Sequence, residues 1–318
     1  MSVYIFSGFV LDLLLGDPAW IPHPVRLLGK LISRLEAVIR SLVPRGGRGL
    51  KAAGVILALV TVGFAYGATW VLLQLALAIS PWLYAAGSVL FIYFALAARS
   101  LADEAGKVYR ALEEGDCRLA RRRLSHIVGR DTGNLDEEGI IRAAVETVAE
   151  NTVDGVIAPL FYIFLGGPAL GMAYKAVNTL DSMVGYLNER YRDLGWASAR
   201  LDDLANWLPA RITGLLMPIA GGAWGKDARR AFRIYRRDRL KHKSPNSGHP
   251  EAVMAGLLGV RLGGTNYYGG QAVEKPVIGD AVKPLEPADI LEASRIMKTT
   301  AVLGILFFYA VALKFGFR

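Results

Sequence analysis

The chain has 318 residues, 53% of them hydrophobic, with a mean hydropathy of +0.32 and a net charge of +9. Those values are high for a soluble domain of this size, whose helices alternate apolar and charged faces. The single Cys117 excludes an intrachain disulfide and any multi-cysteine metal site, and His23, His126, His242 and His249 show no paired zinc spacing such as HExxH. The basic excess has two readings, nucleic acid or an anionic lipid surface. Basic residues cluster beside apolar runs and no zinc-finger or RNP-type pattern occurs, so the expected partner is the lipid bilayer and no nucleic acid. The opening residues lack a basic region and a small-residue cleavage site, so no signal peptide is expected.

Residues 1–15 are apolar around Asp12 and could span or dip into a membrane. Residues 52–79 carry no charge across 28 positions, more than the roughly 20 apolar residues that cross a bilayer. Ser80-Pro81 breaks the run, and 81–98 return as a second span. Both ends of this hairpin are basic: Arg40, Arg45, Arg48 and Lys51 before it, Arg99, Lys107, Arg110, Arg118 and Arg121 to Arg123 after it. The positive-inside rule puts both ends in the cytoplasm. Residues 156–177 are apolar but interrupted by Gly166-Gly167-Pro168, and 204–224 are apolar but carry Asn206, Pro209, Arg211 and Pro218. Such residues at membrane depth mark broken or re-entrant helices that line a cavity or are buried in protein. Residues 299–313 form a C-terminal span flanked by lysines. The expected fold is therefore all-α: a polytopic helical membrane protein of roughly four to six membrane segments in one domain over 1–318. Its polar loops, 99–155, 178–203 and 225–296, are expected mainly on the cytoplasmic side of the cell membrane. The stretch 225–243 carries nine Lys or Arg, which reads as a membrane-surface segment or as a polyanion site.

Three polar stretches carry residue types with chemical potential. In 130–154, Asn134 followed by Glu137 reads as a capping-box helix start, and Arg142, Glu146, Glu150 and Asp154 recur every four residues on one face, with Asn151 adjacent. That stripe is either solvated, with an Arg142–Glu146 pair, or a set of hard oxygen donors suited to Mg²⁺. In 174–193, Lys175, Asn178, Asp181, Ser182 and Gly185 share a helical face at a membrane boundary, where a lysine and a carboxylate are costly unless paired. In 244–270, Ser244, Asn246, Ser247 and Gly248 precede Pro250, which suits a first helical turn with free backbone N–H groups for an anion. Gly263-Gly264 and Gly269-Gly270 allow a close backbone approach to a ligand. Nearer the start, the Pro22-His23-Pro24-Val25-Arg26 turn offers His23 and Arg26 to a phosphate or carboxylate, or is simply structural. No GxxxxGK[ST] pattern exists, so a P-loop is excluded.

The runs LDLLLGDPAWIPHPVRLLGKLI, GRDTGNLDEEGIIRAAVETVAENTVDGVIAPLFY, YKAVNTLDSMVGYLNERYRDLGWASARLDDLANWLPARITGLL and SPNSGHPEAVMAGLLGVRLGGTNYYGG resemble the adenosylcobinamide-phosphate synthase family of cobalamin biosynthesis. They cover more than a third of the chain in the family's order; His249 and Thr265 depart from residues common at those positions. The resemblance implies an ATP- and Mg²⁺-dependent amide ligation in which ATP is a co-substrate. The propionate of adenosylcobyric acid is joined to aminopropanol or its phosphate. Carried onto this chain, Glu146, Glu150, Asp154 and Asp181 are expected to hold metal, and Lys175, Arg130 and Arg142 to meet phosphate. Asn178, Ser182, Asn151, Asn246, Ser247, His23 and Arg26 are expected to contact substrate, with Lys175, Asp181 and Glu150 closest to the chemistry.

Two other readings are weighed. Asp154-Gly155 is similar to the opening of the CDP-alcohol phosphotransferase motif, but Pro159 follows Ala158 and the downstream acidic pair is missing. A transporter or non-catalytic sensor would also use broken helices, though most polar residues here sit outside the spans. The amine used and the oligomeric state, an oligomer included, stay open.

Overall fold

The structure, a computed structural model, describes residues 1–18, 23–43 and 46–315; Pro22 of the N-terminal turn and Arg45 of the basic flank lie outside the described residues. In chain order the elements are α1 (Ser2–Leu15), α2 (Pro24–Leu42), α3 (Arg48–Ile79), α4 (Pro81–Ala95), α5 (Ala98–Glu113), α6 (Cys117–Leu124) and α7 (Glu137–Thr152). A π turn (Val153–Ile157) follows, then α8 (Ala158–Val184), α9 (Trp196–Ala205), α10 (Trp207–Gly222), α11 (Ala228–Asp238) and α12 (Gly248–Leu258). The hairpin β1 (Leu262–Tyr268) and β2 (Gln271–Ile278) precedes α13 (Ala288–Phe315).

The ends of these helices follow local chemistry. Ser80 Oγ accepts the Trp82 N–H at 3.2 Å and Pro81 opens α4, which is the break expected there. The start of α7 departs from the capping-box expectation: Asp136, not Asn134, is the cap, its Oδ1 accepting the Gly139 N–H at 2.8 Å. Two residues of extra coil therefore precede the helix, and a carboxylate caps it.

Four helical runs among the described residues are long and apolar enough to cross a membrane: Arg48–Ile79, Pro81–Glu113, Glu137–Val184 and Ala288–Phe315. α3 shows why lipid is needed. It is apolar on every side, yet Ile56, Leu59, Leu72 and Ile79 are exposed. A surface of that kind is favourable only against hydrocarbon. The protein is thus an all-α polytopic membrane protein with one two-stranded hairpin among the described residues.

The chain divides into two compact units, Met1–Ala97 with Ala158–Asn206 and the chain from Phe308 onward, and Ala98–Ile157 with Trp207–Phe307. In the first, α3 packs on α4, α8 and α9, and α2 packs on α3 and α8. Ile32, Leu57, Leu180 and Val184 are among its core residues. A Cβ at Gly54 would lie 2.1 Å from the Leu194 carbonyl oxygen, so only glycine lets α3 approach that loop. α8 is interrupted at Gly166 and Gly167, the latter at φ +71°, and Pro168 starts its second half.

In the second unit α7 is buried on nearly all sides by α5, α6, α12 and β1. Val145, Val148, Val253, Leu257 and Met297 fill its core. Gly269 and Gly270, at φ +58° and +78°, form the two-residue hairpin turn between β1 and β2. Of the glycines expected to approach a ligand, Gly263 is used by the backbone itself: a Cβ there would lie 2.2 Å from the Pro276 carbonyl oxygen.

Candidate active site

Each unit holds a cluster of buried polar groups. In the second, the α7 periodicity puts Glu146 and Glu150 one turn apart on a helix with little solvent around it. Glu146 is fully buried, which excludes the solvated-stripe reading for it. Its Oε1 accepts the Gly263 N–H at 2.7 Å, and its Oε2 lies 2.6 Å from the Arg130 guanidinium. The same Arg130 nitrogen donates to Asn266 Oδ1 at 2.5 Å. Burial opposes the positive form of Arg130, but Glu146 holds its pKa above the usual value. With both oxygens engaged, Glu146 is a framework carboxylate that ties the hairpin to α7.

One turn on, Glu150 meets two residues from distant segments, His242 after α11 and Glu251 in the first turn of α12. One donor atom from each lies within 4.8 Å of the others, a spacing that could hold a metal ion. The imidazole argues against it. The Ser244 N–H donates to His242 Nδ1 at 3.0 Å, which assigns the ring proton to Nε2. A protonated Nε2 has no lone pair for a metal. It points instead as a donor towards Glu251 Oε1, 4.0 Å away. Burial, then the charge of Lys275, lowers the His242 pKa and keeps the ring neutral. Burial, then the charges of Glu150 and Glu146, push Glu251 well above the usual carboxyl range. Lys275, on β2, stays charged because Glu150, Glu251 and Glu146 outweigh the cost of its burial.

The other predicted residues of this unit are distributed around that cluster. Arg142 lies beside Gly264, and its Nε is buried without a hydrogen-bond partner among the described residues. Asn151 donates back to Thr147 O at 3.0 Å, and Asp154 stands in the π turn. Ser244 Oγ accepts the N–H groups of Asn246 and Ser247 at 3.2 and 3.3 Å, shaping the turn that delivers α12 with Pro250 in its first turn.

In the first unit, Asp181 on α8 faces Asp202 and Asp203 on α9. Asn206 Nδ2 donates to Asp202 Oδ2 at 3.0 Å, and Asn178 also hydrogen-bonds Asp202. Burial, then the charge of Asp181, raises the Asp202 pKa to about 7. Lys175 lies one turn before Asn178 on α8, and Ser182 donates to Thr179 O at 3.0 Å. His23 is a cap: its Nδ1 accepts the Val25 N–H at 3.2 Å and its Nε2 lies 3.4 Å from Asp17, beside Arg26 in the first turn of α2. The metal set expected from sequence is thus divided, with Glu146, Glu150 and Asp154 in the second unit and Asp181 in the first. Donor chemistry separates the clusters as well. The second cluster includes an imidazole whose free nitrogen is a donor, whereas Asp181, Asp202 and Asp203 offer oxygens only and are not gathered closely enough to hold one ion.

Sequence reading missed His242, Glu251, Lys275, Asp202 and Asp203. His242 is hidden in the basic run Lys241-His242-Lys243, and Lys275 sits in an alternating strand. Asp202 and Asn206, four apart between Trp196 and Trp207, were the available signal for the α9 acids.

A family profile described as "CobD/Cbib protein" matches residues 5–297. The chain is 48% identical over 304 residues to "Cobalamin biosynthesis protein CobD" of Clostridium perfringens, covering 96% of both chains. It is 52% identical over 302 residues to the protein of the same name from Geobacter metallireducens, covering 95% of this chain and 94% of that one. Against "Cobalamin biosynthesis protein CbiB" of Salmonella typhi it is 50% identical over 303 residues, covering 95% of both. No solved structure matches. End-to-end identity at this level, together with a profile spanning nearly the whole chain, means that this protein belongs to the CobD/CbiB family.

Proposed function

We propose that this protein is the membrane-bound enzyme that forms an amide between a corrinoid carboxylate, adenosylcobyric acid, and aminopropanol or its O-phosphate, at the expense of ATP. Family membership supports a role in cobalamin biosynthesis. The observation that carries the chemical reading is the second-unit cluster. Lys275 carries positive charge beside Glu150, Glu251 and Glu146 in a buried setting where such a group is costly unless it serves a ligand.

A carboxylate is a poor acyl donor. In the proposed reaction one of its oxygens attacks the terminal phosphorus of ATP and ADP leaves. The amine nitrogen then attacks the carbonyl carbon of the acyl phosphate, phosphate leaves with the bonding pair, and the nitrogen gives up a proton to a carboxylate. Arg142 and Lys275 stabilise charge on the transferring oxygens. Glu150 accepts hydrogen bonds from the amine. Mg²⁺, when bound with ATP, would neutralise phosphate charge. The basic flanks of the α3–α4 hairpin support a cytoplasmic-membrane location with the polar loops on the cytoplasmic side.

The test is mass spectrometry of corrinoid products from detergent-purified protein supplied with adenosylcobyric acid, ATP, Mg²⁺ and either amine. An ATP-dependent product heavier by the amine minus water supports the reading. No product from folded protein with either amine removes it.

A further inference from the structure

α11 packs back along α10, and a Cβ at Gly214 would lie 2.5 Å from the Tyr235 ring. Arg211, about one turn before Gly214, is thereby brought towards Arg239, about one turn after Tyr235, and the two charges act on one another. Arg211 lies over the Trp207 ring at 4.1 Å and Arg239 over the Tyr235 ring at 5.2 Å. Their hydrogen bonds go to carbonyls, Arg211 to Trp207 O at 2.5 Å and Arg239 to Arg236 O at 2.8 Å. Among the described residues no carboxylate forms an ion pair with either guanidinium.

His249, on α12, stands beside them and is 2% exposed. Its Nδ1 shares a 3.0 Å hydrogen bond with the Tyr235 hydroxyl, and its Nε2 has no partner among the described residues. In either tautomer this pair keeps one hydrogen to give: Nε2–H if Tyr235 donates, the Tyr235 O–H if Nδ1–H donates. Burial, then the charges of Arg211 and Arg239, lower the His249 pKa to about 4, so the ring is neutral. Two unneutralised guanidiniums and a spare donor suit a phosphate, which arginine binds through paired N–H groups.

The surroundings say what carries that phosphate. Leu208, Arg211, Leu215 and Ile219 fall at helical spacing on one face of α10, and the three apolar members are exposed, as is Trp207. An apolar stripe that holds a cation matches a phospholipid, acyl chains on the stripe and headgroup at the arginines. Their uncompensated charge favours a net-negative headgroup over a zwitterionic one, whose choline would meet them.

We propose that Arg211, Arg239 and the Tyr235–His249 pair bind the phosphate of an anionic phospholipid whose acyl chains lie along Leu215 and Ile219. The site is independent of the ligation reading, which uses none of these residues.

The experiment is native mass spectrometry of the detergent-purified full chain titrated with dioctanoyl phosphatidylglycerol or dioctanoyl phosphatidylcholine, with inorganic phosphate as competitor. Wild type is expected to retain phosphatidylglycerol at least about tenfold more tightly than phosphatidylcholine. R211Q and R239Q are each expected to lose about tenfold in affinity for it, and H249F about threefold. R233Q/R236Q, which removes two exposed charges from α11, is expected to change it by less than about twofold. If an arginine-to-glutamine variant does not fold, R239K and H249F supply the reading, with R239K expected to keep part of the affinity. Equal losses in R233Q/R236Q and R239Q would mean unspecific attraction and overturn the proposal. So would wild-type binding by folded R239Q or, where that variant does not fold, by folded H249F. Displacement of phosphatidylglycerol by an equal concentration of inorganic phosphate would assign the site to a free phosphate and overturn the lipid.

Discussion

The guanidinium of Arg130 lies 2.6 Å from Glu146 Oε2, and both side chains are buried at 5% and 0% exposure. A phosphate-binding role was expected of Arg130 and a metal-binding role of Glu146. Their mutual engagement instead makes them the joint between α7 and the β1–β2 hairpin. Breaking such a pair leaves a buried uncompensated charge, so R130M should destabilise the protein by about 3–5 kcal/mol. The double variant R130M/E146Q should cost less than the sum of the single changes. Thermal unfolding in detergent reads both, and additive costs would mean that the pair is not coupled.

Lys275 differs from Arg130 because no carboxylate closes on it as a direct ion pair among the described residues, although it feels Glu150, Glu251 and Glu146. K275M should lower turnover by about a hundredfold or more while leaving the protein folded. K275R should retain part of the activity. Steady-state kinetics with varied ATP distinguishes this from a structural loss, which would instead appear as a lower Tm.

The α9 acid Asp202 makes stability depend on pH. Its folded pKa, about 7, lies above the ordinary 3.8 because it is buried beside Asp181. Between those values the folded state holds a proton that the unfolded chain has lost, so stability falls as pH rises through that window. Wild-type Tm should drop by several degrees from about pH 5 to about pH 8 without added divalent ions, and D202N should flatten that slope. A D202N profile parallel to wild type would show that Asp202 is not the group responsible.

Gly256 tests the packing that delivers Glu251. A Cβ there would lie 2.4 Å from Ala231 Cα, so α11 and α12 can approach only over a glycine. G256A should cost about 1–3 kcal/mol, or more if the backbone cannot shift. Tm measurement checks this, and an unchanged value would mean that the two helices are not in that contact.

How much was legible in the sequence follows from what each signal depends on. The uncharged run of 52–79 and the Ser80-Pro81 break set α3 and α4 through local hydropathy and capping, which need no partner. Glu146 and Glu150 stood out because, past the first turn of α7, they are carboxylates set among Ala and Val. The role of Glu146 was not legible, because it is decided by Gly263 and Arg130, 117 residues after it and 16 before it. His242 and Glu251 likewise belong to segments whose meeting with α7 is a tertiary fact. Asn134 was mistaken for the cap because Asp136, two residues on, is an equally good one in composition.

The central claim, that ATP activates a carboxylate which an amine then captures, is tested most directly by oxygen transfer. Adenosylcobyric acid labelled with ¹⁸O in its free carboxyl would be turned over with ATP, Mg²⁺ and the amine, and the released phosphate analysed by mass spectrometry. The account predicts one labelled oxygen in inorganic phosphate for each amide formed. Amide formation with no label in phosphate would contradict it.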